Sequence, residues 1–151
     1  MKIFLSYSMK DIELANKIKD KLKVWCQVYL AAEDIQPGQP LSDKIVENIK
    51  SSNFLIALMT KDGENSNWVQ REIGIAKASQ IPIIPLVEKG VKDMGIIEGI
   101  EYITIDKDNP SICLDNLAVY INKKKKEKNF NDLILIAFLL IGAIILSAHK
   151  E

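Results

Sequence analysis

Histidine is almost absent from this chain of 151 residues, which has His149 alone. A Ser-His-Asp or Cys-His nucleophile needs an imidazole base beside it, and a histidine-based metal site needs one among other donors. An imidazole at the far end of an apolar tail serves neither. Cysteine is scarce as well. Cys26 and Cys113 are too few and too far apart for a disulfide framework or a zinc site, and read as two buried, inert thiols in a reducing compartment. There is no GxGxxG and no GKS/GKT loop, so no nucleotide is cradled in the usual glycine-rich way. Neither a metal nor a resident cofactor is expected.

A basic surface is missing too. Residues 1–122 carry 14 Lys/Arg against 17 Asp/Glu, about −3, and residues 123–151 carry 6 against 3, about +3. With no positive charge concentrated in the body, nucleic acid is excluded as its partner. A chain this long, 48% hydrophobic and 26% charged, builds one domain with a real core.

Short apolar runs alternate with helical periodicity. Strands are expected at 2–6, 27–30, 53–59, 83–87 and 102–105. Between them, Asp11 caps a helix with Ile12, Ala15, Ile18 and Leu22 at helical spacing. Ser42 caps a second helix, with Leu41 and Val46 as its staple and Ile45 and Ile49 facing inward, and Ser66 caps a third. Residues 90–99 hold three glycines and predict only a poor, short helix; Ser111–Asn122 is the last helix of the body. The run NFLIALM (53–59) is nearly all apolar, as a central parallel strand covered on both faces must be. Five strands alternating with helices specify an α/β fold, a parallel sheet with helices on both faces. With the flavodoxin-like order 2-1-3-4-5, ligands bind beyond the carboxyl ends of strands 1 and 3, where the order reverses. Ser6, Tyr7 and Ser8 come to that crevice, together with Trp68 and Glu72 of the third helix.

The tail differs from the body. Leu133–Ala148 (LILIAFLLIGAIILSA) is 16 residues without a charge, about 24 Å of helix against a hydrocarbon core of about 30 Å. Lys123–Lys128 (KKKKEK) precede it. The expected organisation is a body at 1–122, a polybasic linker at 123–129 that meets anionic headgroups, and a transmembrane helix at 130–149. Lysines on one flank place that flank, and the body, in the cytoplasm of a single-pass protein. A core or oligomerisation helix is the other reading of the run.

Glu72 stands four residues after Trp68, with Ile75 at i+7, so the three share a helix face. Each of these residues has a plain reading too: a solvated acid, a packing tryptophan, a strand-end tyrosine, a serine bonded to its own turn. The Phe4-Leu5-Ser6-Tyr7 opening, the Asp34-Ile35-Gln36-Pro37-Gly38 loop and the Ser66-x-Trp68-x-x-x-Glu72 segment, in this order, resemble the TIR (Toll/interleukin-1 receptor) domain of bacterial and archaeal proteins. The likeness runs from Lys2 to about Asp106. It implies a flavodoxin-like fold, self-association through the loop holding Asp34, Pro37 and Gly38, and in many members cleavage of NAD+. The family's catalytic glutamate falls on Glu72. Its nucleotide-pocket positions fall on Ser6, Tyr7 and Ser8, with Trp68 beside them. Ala31 and Ala32 stand where many members carry an acid, Val69 where a cysteine often follows the tryptophan, and Ser8 where some carry a base.

Three functions follow as expectations. One is a membrane-anchored NAD+ glycohydrolase or cyclase that acts on self-association, in signalling or antiviral defence. Another is a non-enzymatic module that assembles with other TIR domains at the membrane. The third is an assembly whose gathered tails perturb the bilayer.

Overall fold

Every residue of the central strand β3 (Phe54–Met59) except Phe54 is buried, and its side chains alternate between two cores. Leu55, Ala57 and Met59 face one way; Ile56 and Leu58 face the other. This two-sided burial is what selects a parallel sheet with helices on both faces. The computed structural model describes residues 1–30, 43–63 and 66–148, with side chains as far as residue 136.

The sheet is built from β1 (Lys2–Ser6), β2 (Gln27–Leu30), β3, β4 (Ile83–Glu88) and β5 (Ile103–Ile105), in the order β2-β1-β3-β4-β5. All four pairings are parallel, in a register that sets Leu5 beside Leu30 and Ile56, and Ser6 beside Ala57. Helices α1 (Ile12–Leu22) and α4 (Ser111–Ala148) cover one face. There Leu14, Ala15, Ile18, Leu22, Leu117 and Ile121 meet Ile3, Leu5, Ile56 and Leu58. Helices α2 (Asp43–Lys50) and α3 (Asn67–Ala78) cover the other, where Ile45, Ile49, Val69 and Ile73 meet Phe4, Leu55 and Met59. Each fully buried aliphatic side chain contributes roughly 1.5–3 kcal/mol. The doubly wound arrangement expected from the alternation is the one observed.

Several details differ from the expectation. In α1, Leu14 is buried and Ile12 only half-buried, because the inward stripe is set by Leu14, Ala15, Ile18 and Leu22. Within 90–99 a single 3-10 turn forms at Gly95–Ile97, and Tyr102 stays outside β5, 54% exposed. The last helix does not stop at Asn122. It continues through the lysines to Ala148, since the Lys/Glu/Asn stretch holds no proline or glycine to break it. The expected linker at 123–129 is therefore helix. Among the described residues no helix is long and apolar enough to cross a membrane. The apolar run Leu133–Ala148 lies outside the described side chains beyond Ile136, as does His149 altogether. The Asp34, Pro37 and Gly38 loop, and the Leu41–Ser42 cap, also fall outside the described residues.

Candidate active site

Helix α3 starts at Ser66, whose side chain accepts from the Val69 amide at 3.4 Å, so the expected cap is in place. From there its buried positions are Val69, Glu72, Ile73 and Ala76, a helical stripe in which a carboxylic acid occupies a place the pattern reserves for an apolar side chain. Trp68 and Ile75, expected to share the face of Glu72, flank this stripe half-buried. Glu72 is fully buried (0% exposed) rather than at the lip of a crevice.

Opposite it stands Ser6, the last residue of β1. Strand alternation sends Phe4 and Ser6 toward α3, and Ser6 Oγ donates to Glu72 Oε2 at 2.5 Å. The second oxygen, Oε1, and the indole nitrogen of Trp68 are both buried and have no hydrogen-bond partner among the described residues. Burial pushes the Glu72 carboxyl up to about 8, against the opposing pull of the Ser6 hydroxyl and of the Trp68 indole, which lies near without reaching hydrogen-bond geometry. An acid held neutral at pH 7, with an unmet acceptor beside an unmet donor, is costly in a core, about 1–3 kcal/mol for each orphaned group. Such cost makes the pair a candidate site.

Of the other expected pocket residues, Tyr7 points the opposite way. It is 2% exposed and belongs to the core under α1 and α4, because one residue along a strand reverses the face. The sheet thus separates Tyr7 from Ser6, Trp68 and Glu72. Ser8 accepts from the Lys10 amide at 3.4 Å and caps the 3-10 turn Met9–Asp11. The structure brings Ser6, Trp68 and Glu72 together; it does not bring Tyr7 or Ser8 to Glu72. Four pockets lined by described residues lie elsewhere, against α4 and beside β5.

Sequence reasoning missed a second polar cluster at the carboxyl ends of β1, β3 and β5. Asp11, read as a helix cap, makes no cap bond. It is 1% exposed, accepts from Thr60 Oγ1 at 2.7 Å, and pairs with Lys107 at 3.0 Å. Lys107 also reaches Asp62 at 2.5 Å, and the two carboxylates raise its pKa. Gly63 donates to Thr60 Oγ1 at 3.0 Å. A Cβ on Gly63 would lie 2.7 Å from Asp11 Oδ2 and 2.8 Å from Ser8 Cβ, so only glycine fits. This cluster ties three loops at the edge where β1 ends in Ser6. The Thr60-x-Asp62-Gly63 run marks a turn in the sequence, but nothing in it points to Asp11 or Lys107. No group of metal-ligating side chains is present among the described residues.

A doubly wound five-stranded sheet with a buried serine–glutamate pair at its carboxyl edge defines the class. The TIR domain family profile matches residues 3–118, and the chain belongs to that family. Among solved structures it is similar to the TIR domain of a Toll-related receptor from Hydra magnipapillata. The two are 23% identical with a TM-score of 0.63, over 79% of this chain and 96% of that one. It is similar also to a CMP N-glycosidase from Clostridium botulinum, at 21% identity and a TM-score of 0.59, over 80% of this chain and 99% of that one. Both likenesses show the fold alone. No curated protein matches the chain.

Proposed function

We propose that this TIR domain cleaves the N-glycosidic bond of NAD+, releasing nicotinamide, when copies associate at the inner face of a membrane. The observation that carries the reading is the buried Glu72 carboxyl on Ser6, with Oε1 and the Trp68 N–H unmet beside it. In NAD+ the nicotinamide is cationic and leaves neutral with the bonding electron pair, so no general acid is required, unlike an ordinary glycoside. What remains is to stabilise positive charge on the ribose. An ionised Glu72 directed at the ribose does this electrostatically. The positively charged nicotinamide ring, placed beside Glu72, would lower its pKa from about 8 and so favour the carboxylate. Water completes hydrolysis to ADP-ribose and a proton; attack by an adenine nitrogen gives a cyclic product. That a CMP N-glycosidase shares the fold supports N-glycosidic cleavage as the reaction class.

Self-association through the Asp34, Pro37 and Gly38 loop and a role in defence signalling belong to the same proposal, resting on family membership. Anchoring by Leu133–Ala148, with Lys123–Lys128 at anionic headgroups and the body in the cytoplasm, rests on the sequence pattern. The complete burial of Glu72 favours a second reading, a non-enzymatic module that assembles with other TIR domains. Nicotinamide release from NAD+, with CMP in parallel, by wild type and Glu72→Ala reconstituted at high density in vesicles separates the two. Release abolished in the variant supports catalysis. No release from clustered wild type sinks it in favour of the module.

A further inference from the structure

Helix α4 begins at the carboxyl edge of the sheet and descends to the amino edge. Asp115 pairs with Lys21 near the end of α1. Below it, Ala118, Val119 and Asn122 line a groove with Val24 and Trp25 in the α1–β2 turn. Lower still, Lys124, Lys128 and Asp132 line a groove with Met1, Asn53 and Phe54. The apolar run starts at Leu133, the next residue. The body therefore reaches the first apolar residue with no spacer between them, and the helix is unbroken across the junction.

This sets heights above a bilayer. Asn53, at the end of the α2–β3 turn, shares a groove with Asp132. That groove runs along α4 from Lys124 to Asp132, so the turn stands within about 14 Å of helix above Leu133, and the Asp132 end of the groove falls within a headgroup layer about 5–7 Å thick. Val24 meets α4 no lower than Asn122, eleven residues or about 16 Å of helix above Leu133, beyond that layer. The charge fits the same surface. Lys50 and Ser51 of the turn are exposed, and so are Lys123, Lys126 and Lys128 of α4. Lys2 lies beside them, donating to Asn48 and Ser51. Against these stand Glu127, paired with Lys124, and Asp132.

The geometry points to the α2–β3 turn, Lys50 to Asn53, as a second membrane contact that rests on anionic lipid headgroups beside α4. The amino edge of the sheet then faces the bilayer. The carboxyl edge, with the Ser6 end of β1 and the Asp11–Lys107 cluster, faces water, open to a soluble substrate. The inference rests on the membrane anchoring proposed above.

Single cysteines introduced at Ser51 and at Met9, which is 58% exposed at the carboxyl edge, place one bimane label at each edge. Cys26 and Cys113 are buried and stay unlabelled in the folded chain. The full chain is reconstituted in vesicles of phosphatidylcholine and phosphatidylglycerol in equal parts and floated, and acrylamide quenching is compared with that in detergent. The expected result is flotation, with quenching lost at Ser51→Cys and kept at Met9→Cys. Flotation with equal quenching at both labels overturns the membrane contact and leaves the anchor standing. A chain that does not float overturns both.

Discussion

The hydroxyl of Ser6 donates to the carboxyl of Glu72 at 2.5 Å across 66 residues of sequence, joining β1 to α3 at one polar point inside an apolar face. A strand end and a helix middle are held by that contact, and the acid it holds titrates near the physiological range.

Replacing Glu72 by glutamine makes the fold more stable as pH rises. The folded carboxyl has its pKa raised from 4.5 to about 8. Between those values the folded chain keeps a proton that the unfolded chain has lost, so wild-type stability falls with rising pH through that window and levels off above it. The full shift corresponds to at most about 5 kcal/mol. Denaturant titrations of wild type and Glu72→Gln should show a stability difference that grows from pH 4.5 to 8 in favour of the variant. A pH-independent difference refutes the burial argument.

Ser6→Ala removes the donor that favours the charged form, so the Glu72 pKa moves further up. If the carboxylate is the active form, kcat/KM rises with pH through the Glu72 pKa in wild type, and the variant shifts that limb to higher pH. Lost activity with an unmoved limb assigns Ser6 to binding alone. The lost hydrogen bond also costs about 0.5–1.5 kcal/mol of stability.

Gly63→Ala and Lys107→Met disturb the same cluster from two sides. The alanine methyl drives into Asp11 Oδ2 and Ser8 Cβ, and such overpacking costs about 1–3 kcal/mol. Lys107→Met leaves Asp11 buried with Thr60 as its remaining side-chain partner and costs about 1–3 kcal/mol. Because the residues share one network, the double variant should lose less than the sum of the singles. Thermal unfolding of wild type, the two single variants and the double variant checks this.

The thiols should be unreactive. Burial pushes the Cys26 thiol up to about 11 and raises Cys113 as well, and the thiolate is the reactive form. An aromatic disulfide reagent near neutral pH should modify neither until denaturant is added; prompt reaction of the native chain contradicts the packing.

Much of this fold was legible in the sequence because local and global signals agree. The NFLIALM run is buried on both sides in β3, Ser66 caps α3, the alternation gives the parallel sheet, and the family resemblance gives the strand order. The carboxyl-edge site was read less well, for two physical reasons. Grouping Ser6, Tyr7 and Ser8 by proximity in sequence ignores the period of two that sends Tyr7 through the sheet to the other core. The Asp11–Thr60–Lys107 cluster joins residues far apart along the chain, and no spacing announces it. Glu72 was legible as an acid among apolar neighbours, but its depth depends on how α3 rolls on β1 and β3. Trp68 and Ile75 alone placed it nearer the surface than the stripe of Val69, Ile73 and Ala76 does.

The unbroken run of α4 from Ser111 to Ala148 bears on how two copies meet. On the anchoring proposed above, a domain joined to its membrane helix through a flexible linker would tumble in all directions, and association would have to remove that freedom at a cost of several kcal/mol. A domain carried on a continuous helix keeps the same pole up as every neighbour. Under that proposal, encounters would reduce to lateral position and spin about the membrane normal, so crowding tails within the plane would by itself bring like surfaces to the same height.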